Sequence, residues 1–219
     1  MQADDANKIL TFLSKSHDEQ REFLDRRETE DEAKKTIKSI FSIISAIASD
    51  PEFTMWALAL INGMIEDDRS RIRLLADLQK SRVQSKQCDC INILMSVYMR
   101  NVDDKNRMIR DLAAHTLAQL ISYRGYENHK EAAEQFLTQL LDAKDKPQKL
   151  SRQTYTHCFL YLLKLNELTA VFIRHNGFDA LKKLLTSDCQ RDSQIAYNVC
   201  CCFWILSYHK DAMPHFQDF

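Results

Sequence analysis

Three glycines and three prolines are all that the 219 residues contain, and this scarcity constrains the fold more than any other feature. An all-β chain turns often, and its turns draw on Gly and Pro for backbone angles that other residues avoid. Helices need few such breakers. The apolar spacing agrees. Ile37, Ile40, Phe41, Ile44, Ile47 and Ala48 recur at the i, i+3, i+4, i+7 interval that puts one buried stripe on a helix. Ile109, Leu112, Ala113, Leu117, Leu120 and Ile121 repeat the pattern, as do Ile195, Val199, Cys202, Phe203 and Leu206. The fold class predicted is all-α.

Capping chemistry divides the chain. Asp50-Pro51 reads as an N-cap with proline at the first helical position, where its missing N–H costs nothing. Ser16 and Glu19 have capping-box spacing, and Asn176-Gly177 reads as a helix stop followed by a restart. These signals predict helices over 4–14, 18–25, 30–48, 51–64, 70–81, 85–100, 104–122, 128–142, 150–166, 167–175, 178–186, 191–207 and 210–218. "AKDKPQKLSRQ" (143–153) is the most polar stretch and the best candidate for a break.

With no long heptad register, a compact bundle and a stack of helical repeats remain. Residues 172–216 decide between them: a short helix, Asn-Gly, an amphipathic helix, a polar turn and a nearly all-apolar helix. That is the layout of an armadillo-type repeat, with a period of about 40–47 residues. Gly177 is expected to take the positive φ of the sharp turn, with Phe178, Leu181, Leu184 and Leu185 facing the stack. The long helix is expected to be buried on several sides. Residues 85–122 and 128–166 give the same layout without the Asn-Gly pair and read as degenerate, HEAT-like helix pairs. The architecture expected is a right-handed α-solenoid of armadillo- or HEAT-like repeats, one domain over 1–219, clearest at 167–209.

Charge and motifs exclude several functions. Lys plus Arg is 30 and Asp plus Glu is 31, interspersed as solvated helix faces read, so no basic stripe points to nucleic acid. The longest apolar run, 199–206, falls far short of the ~20 residues of a membrane span. There is no GxxxxGK[ST], GxSxG or HExxH. The seven cysteines (Cys88, Cys90, Cys158, Cys189, Cys200, Cys201 and Cys202) are odd in number and mostly lie in apolar helical patterns. They read as reduced thiols in a reducing compartment. Cys200 and Cys202 point ~200° apart on a helix and cannot chelate one ion together, so "NVCCCFWILSYHK" (198–210) reads as the inside of a wall. His209 and His215 with Cys189 lack paired ligand spacing, and His115 and His157 read as core histidines. Cys88 and Cys90 read as shielded thiols, and Glu66, Asp67 and Asp68 as a solvated turn. Arg69, Arg71, Arg73 and Arg82 form a diffuse basic patch, equally readable as a plain surface or as the seat of an acidic stalk. No catalytic, cofactor-binding or metal site is predicted, and the sequence marks no partner-binding residue.

"YTHCFLYLLKLNELTAVFIRHNGFDALKKLL" followed by "SQIAYNVCCCFWILSYHKDAMPHF" resembles the H subunit of vacuolar-type proton-pumping ATPases. The matching features are Leu163, Asn166-Glu167, Asn176-Gly177, Leu181 and Leu184-Leu185, then Gln194, Ala196-Tyr197, Trp204-Ile205-Leu206 and Ser207. "MWALALINGMIEDDRSRIRLL" and "DLAAHTLAQLISY" resemble earlier segments of that family in the same order. The resemblance implies a non-catalytic regulatory subunit without cofactors. It would dock on the peripheral stalk, built from the E and G subunits of the cytosolic V1 sector, and help couple ATP hydrolysis to proton transport, on the cytosolic face of acidic-organelle membranes. The family carries a second helical domain that reaches the a subunit of the membrane sector; the present chain ends after a repeat, and that domain is expected to be missing. The alternative is a generic armadillo scaffold gripping an extended peptide through a ladder of Asn. Asn198 fits such a ladder, but no Asn recurs at the repeat period. A metal-dependent enzyme built on the C-terminal Cys and His residues is the third possibility.

Overall fold

The computed structural model describes residues 51–66, 90–100, 106–124, 130–142 and 150–218. Among them every regular element is helical: α1 (Pro51–Glu66), α2 (Cys90–Arg100), α3 (Arg107–Arg124), α4 (Lys130–Leu141), α5 (Arg152–Leu162), α6 (Asn166–Arg174), α7 (Gly177–Ser187), α8 (Ser193–Leu206) and a C-terminal 3-10 helix, Lys210–Asp218. The helices expected over 4–14, 18–25, 30–48 and 70–81 lie outside the described residues, as does the Ser16–Glu19 box. The chain falls into two compact units, residues 1–93 and 94–219.

In the first unit α1 opens on Pro51, as the cap signal predicts. Thr54, Ala57, Leu58, Ile61 and Ile65 are buried at helical spacing, giving α1 a single interior stripe.

In the second unit the helices pack in two rows. α5 lies between α3 and α8, while α4 packs on α6, α6 on α7 and α7 on α8. Along the first row, contacts join residues at a constant displacement. The His115 and His157 rings stack at 5.2 Å. Gln119 donates to the Tyr161 hydroxyl at 3.1 Å, across 42 positions. Asn198 donates to Thr156 Oγ1 at 3.1 Å, again across 42. α3 is enclosed more completely than one stripe predicts: Ala114, Thr116, Ala118 and Gln119 are buried with the expected apolar positions, while Leu112 is half-buried.

Aromatic rings join the rows. Phe159 of α5 meets Phe172 of α6 edge to face at 5.3 Å, and Phe203 of α8 meets Phe216 of the 3-10 helix at 6.0 Å. Both pairs are 13 residues apart, and 44 residues separate them. Tyr155 donates its hydroxyl to the Leu140 carbonyl at 3.0 Å, tying α5 to the end of α4.

Two expectations need correction. The left-handed residue between α6 and α7 is Asn176, with φ 57° and ψ 39°, not Gly177. Asn tolerates this region better than most residues. Gly177 is required for another reason: a Cβ there would overlap the buried Phe172 ring. The last element, read as an ordinary helix over 210–218, is wound as a 3-10 helix containing Pro214. Proline supplies no N–H and its ring opposes the α-helical geometry of the preceding turn.

Candidate interaction surface

The cysteine-rich stretch resolves residue by residue along α8. Cys202 is fully buried, Cys201 half-buried and Cys200 exposed. Burial pushes the Cys202 thiol well above its ordinary range, with the neighbouring Cys201 adding to it. Cys158 on α5 is raised by burial first and by Asp111 second. Thiols held protonated are poor nucleophiles and poor ligands. Cys189 sits half-buried after α7, raised by burial, then by Cys200 and Asp188. Among the described residues no group of three or more His, Cys, Asp or Glu is arranged to hold a metal ion.

The histidines go to separate places. His215 stacks on Phe178 at 5.1 Å, inside an aromatic cluster with Phe203 and Phe216 that holds the 3-10 helix against α7 and α8. The backbone N–H of His209 donates to Leu206 at the end of α8. His115 and His157, predicted as core residues, are half-buried and stacked. Burial and then the charge of His157 lower the pKa of His115 from 6.5 to about 4. Tyr161 completes this group, with its ring 5.9 Å from His115 and Lys164 Nζ 4.6 Å over its face. The group therefore holds two row helices together.

Asn198, the candidate for a peptide ladder, is spent internally. It is fully buried, donates to Thr156, and its Oδ1 accepts from Gln194 at 3.1 Å. A side chain committed to both neighbours offers nothing to a peptide. Asp67, Asp68, Arg69, Arg71, Arg73, Arg82 and Cys88 lie outside the described residues.

One surface went unpredicted. α8 was expected to be buried on several sides, yet Tyr197 is 62%, Trp204 64% and Tyr208 71% exposed. Tyr197, Cys200 and Trp204 lie at helical spacing along one face of α8, and Tyr208, just past the end of the helix, meets Trp204 edge to face at 5.3 Å. Leu185, expected to face the stack, is also exposed. The stripe of Ile195, Val199, Cys202 and Leu206 is buried as its spacing predicts, but the opposite side carries Tyr197 and Trp204 in place of polar residues and so did not read as an open face.

No helix among the described residues is long and apolar enough to cross a membrane. A protein-family model described as the H subunit of the V-ATPase matches residues 1–219, the whole of the chain. No curated protein and no solved structure matches it.

Proposed function

The chain belongs to the family of V-ATPase H subunits, corresponding to its N-terminal domain, and from that premise we propose that it is a non-catalytic regulatory subunit of the pump. In this reading it binds the cytosolic V1 sector through the peripheral stalk built from the E and G subunits, on the cytosolic face of acidic-organelle membranes. There it helps couple ATP hydrolysis to proton transport. The observation that carries the reading is a family match running through the whole chain rather than a single motif.

The reading includes an α-solenoid architecture. Its support is the 42-residue displacement from α3 to α5 and from α5 to α8, together with the ring pairs that recur 44 residues on. A stack of this type offers extended helical faces for binding other proteins.

The test is a tagged pull-down from gently solubilised membranes of the source cell, read by mass spectrometry. Recovery of ATPase head and stalk subunits in fixed ratio is expected. A partner set without ATPase subunits sinks the regulatory reading and leaves the helical fold untouched.

A further inference from the structure

The 3-10 helix repeats α6 at a displacement of 44 residues, and repeats it imperfectly. Shifted by 44, Asn166–Arg174 falls on Lys210–Asp218. The bonds at the entry to the two elements coincide. The backbone N–H groups of Leu163, Leu165 and Leu168 donate to the carbonyls of Phe159, Leu162 and Leu165 at 2.9, 3.0 and 3.0 Å. Those of Ser207, His209 and Ala212 donate to Phe203, Leu206 and His209 at the same three distances, 2.9, 3.0 and 3.0 Å. The contact of Phe172 with Phe159 returns as that of Phe216 with Phe203.

Three differences loosen the copy. Leu168 and Ala212 are both fully buried, but alanine is much the smaller anchor. Thr169, Val171 and Phe172 are buried, whereas Met213 is exposed and His215 and Phe216 are half-buried. Pro214 stands at the place of Ala170. It has no N–H for an α-helical bond to residue 210, and its ring opposes that carbonyl. The segment therefore winds as a nine-residue 3-10 helix, a form with poorer hydrogen-bond geometry that is uncommon beyond about three or four residues.

What lies beneath is held by other contacts. Phe178, on which His215 stacks at 5.1 Å and Phe216 sits edge to face at 5.3 Å, also meets Phe172 of α6 at 6.3 Å. α8, which carries Phe203, is fixed to α5: Asn198 donates to Thr156, and Gln153 donates to Asp192, the N-cap of α8, at 2.8 Å. α5 is fixed in turn to α3, where Asp111 accepts the backbone N–H of Ser151, the N-cap of α5, at 3.0 and 3.2 Å through its two oxygens.

From this contrast we infer that Lys210–Asp218 is a strap that leaves its aromatic seat while α3 to α8 stay folded. Its hinge is the turn 207–209, and its release uncovers Phe178 and Phe203. The strap thus switches that apolar surface between covered and open. Elements with few buried apolar contacts open locally, well below the free energy of global unfolding. The device belongs to the fold and holds whatever the chain binds.

Thiol labelling of the whole chain tests it. In Ala212→Cys, position 212 is shielded while the strap is down, whereas Cys158 and Cys202 are buried by the body of the unit. Maleimide labelling is read site by site by mass spectrometry, each rate being taken relative to the same thiol in urea. Position 212 is expected to label about tenfold or more faster than Cys158 and Cys202. Adding Pro214→Ala, which restores the residue of α6, is expected to slow position 212 about tenfold or more and leave Cys202 unchanged. Hydrogen exchange reads the same opening without a new thiol. The amides of 211–218 are expected to exchange about tenfold or more faster than those of α7 and α8, and to slow in Pro214→Ala. Equal labelling at 212 and Cys202, or strap amides that exchange together with α7 and α8, overturns the strap. So does a Pro214→Ala chain that opens at the parent rate.

Discussion

Two adjacent residues, Asn176 and Gly177, perform different tasks that their identities alone do not reveal. Either can take a left-handed conformation, so the sequence shows a helix stop without showing which of the two turns. Packing makes the choice, because the fully buried Phe172 ring lies where a Gly177 side chain would be. That ring is itself confined by Phe159 at 5.3 Å and Phe178 at 6.3 Å, so it has little freedom to retreat. Gly177→Ala is therefore expected to destabilise the second unit by about 1–3 kcal/mol, the usual cost of overpacking. Asn176→Gly keeps the left-handed turn and is expected to stay within about 0.5 kcal/mol of the parent. Urea denaturation midpoints of the two variants distinguish the roles. Equal losses at both positions would mean that the turn, and not the ring, sets the requirement.

At the scale of elements, the joint between α3 and α5 responds to pH. Folding lowers the pKa of His115 from 6.5 to about 4, chiefly through burial and then through His157. The unfolded chain consequently binds more protons between those values. The His115 contribution is fully present above pH 6.5 and is lost as the pH falls toward about 4, amounting to at most about 3 kcal/mol. His115→Gln is expected to flatten the stability profile across that window when unfolding is followed by circular dichroism at pH 7.5, 6 and 5. An unchanged slope would assign the dependence to other groups. Helix positions were readable because apolar spacing and caps are local: α1, α4, α6 and α7 begin and end within about two residues of their expected limits. The 3-10 winding of 210–218 was not, since Pro214 says only that an ordinary helix is disfavoured.

Across the second unit, the displacement of about 42 residues unifies contacts that look unrelated one at a time. The sequence suggests a repeat layout around Asn176-Gly177, where the turn carries a signature. It was faint upstream, where the equivalent joints are made by His115 with His157 and Gln119 with Tyr161, pairs that share no motif. Long-range polar joints of this sort depend on which helices become neighbours, information that no single segment holds. Asn198 offers a direct measure. Asn198→Ala removes a buried hydrogen bond to Thr156 across the α5–α8 joint and a part-buried one from Gln194 within α8, and is expected to cost about 2–3 kcal/mol. Combined with Thr156→Ala in a double-mutant cycle, it should show coupling of about 0.5–1.5 kcal/mol. Strict additivity would mean the two side chains do not hold the row together.

The cap contacts also carry a direction in time. Asp111 precedes the Ser151 it holds, and Gln153 precedes Asp192. A polypeptide leaving the ribosome exposes its N-terminal part first, so each receiving surface is complete before the helix it receives has been synthesised. Assembly can thus follow translation one helix at a time, each new helix docking on a surface that has already been made.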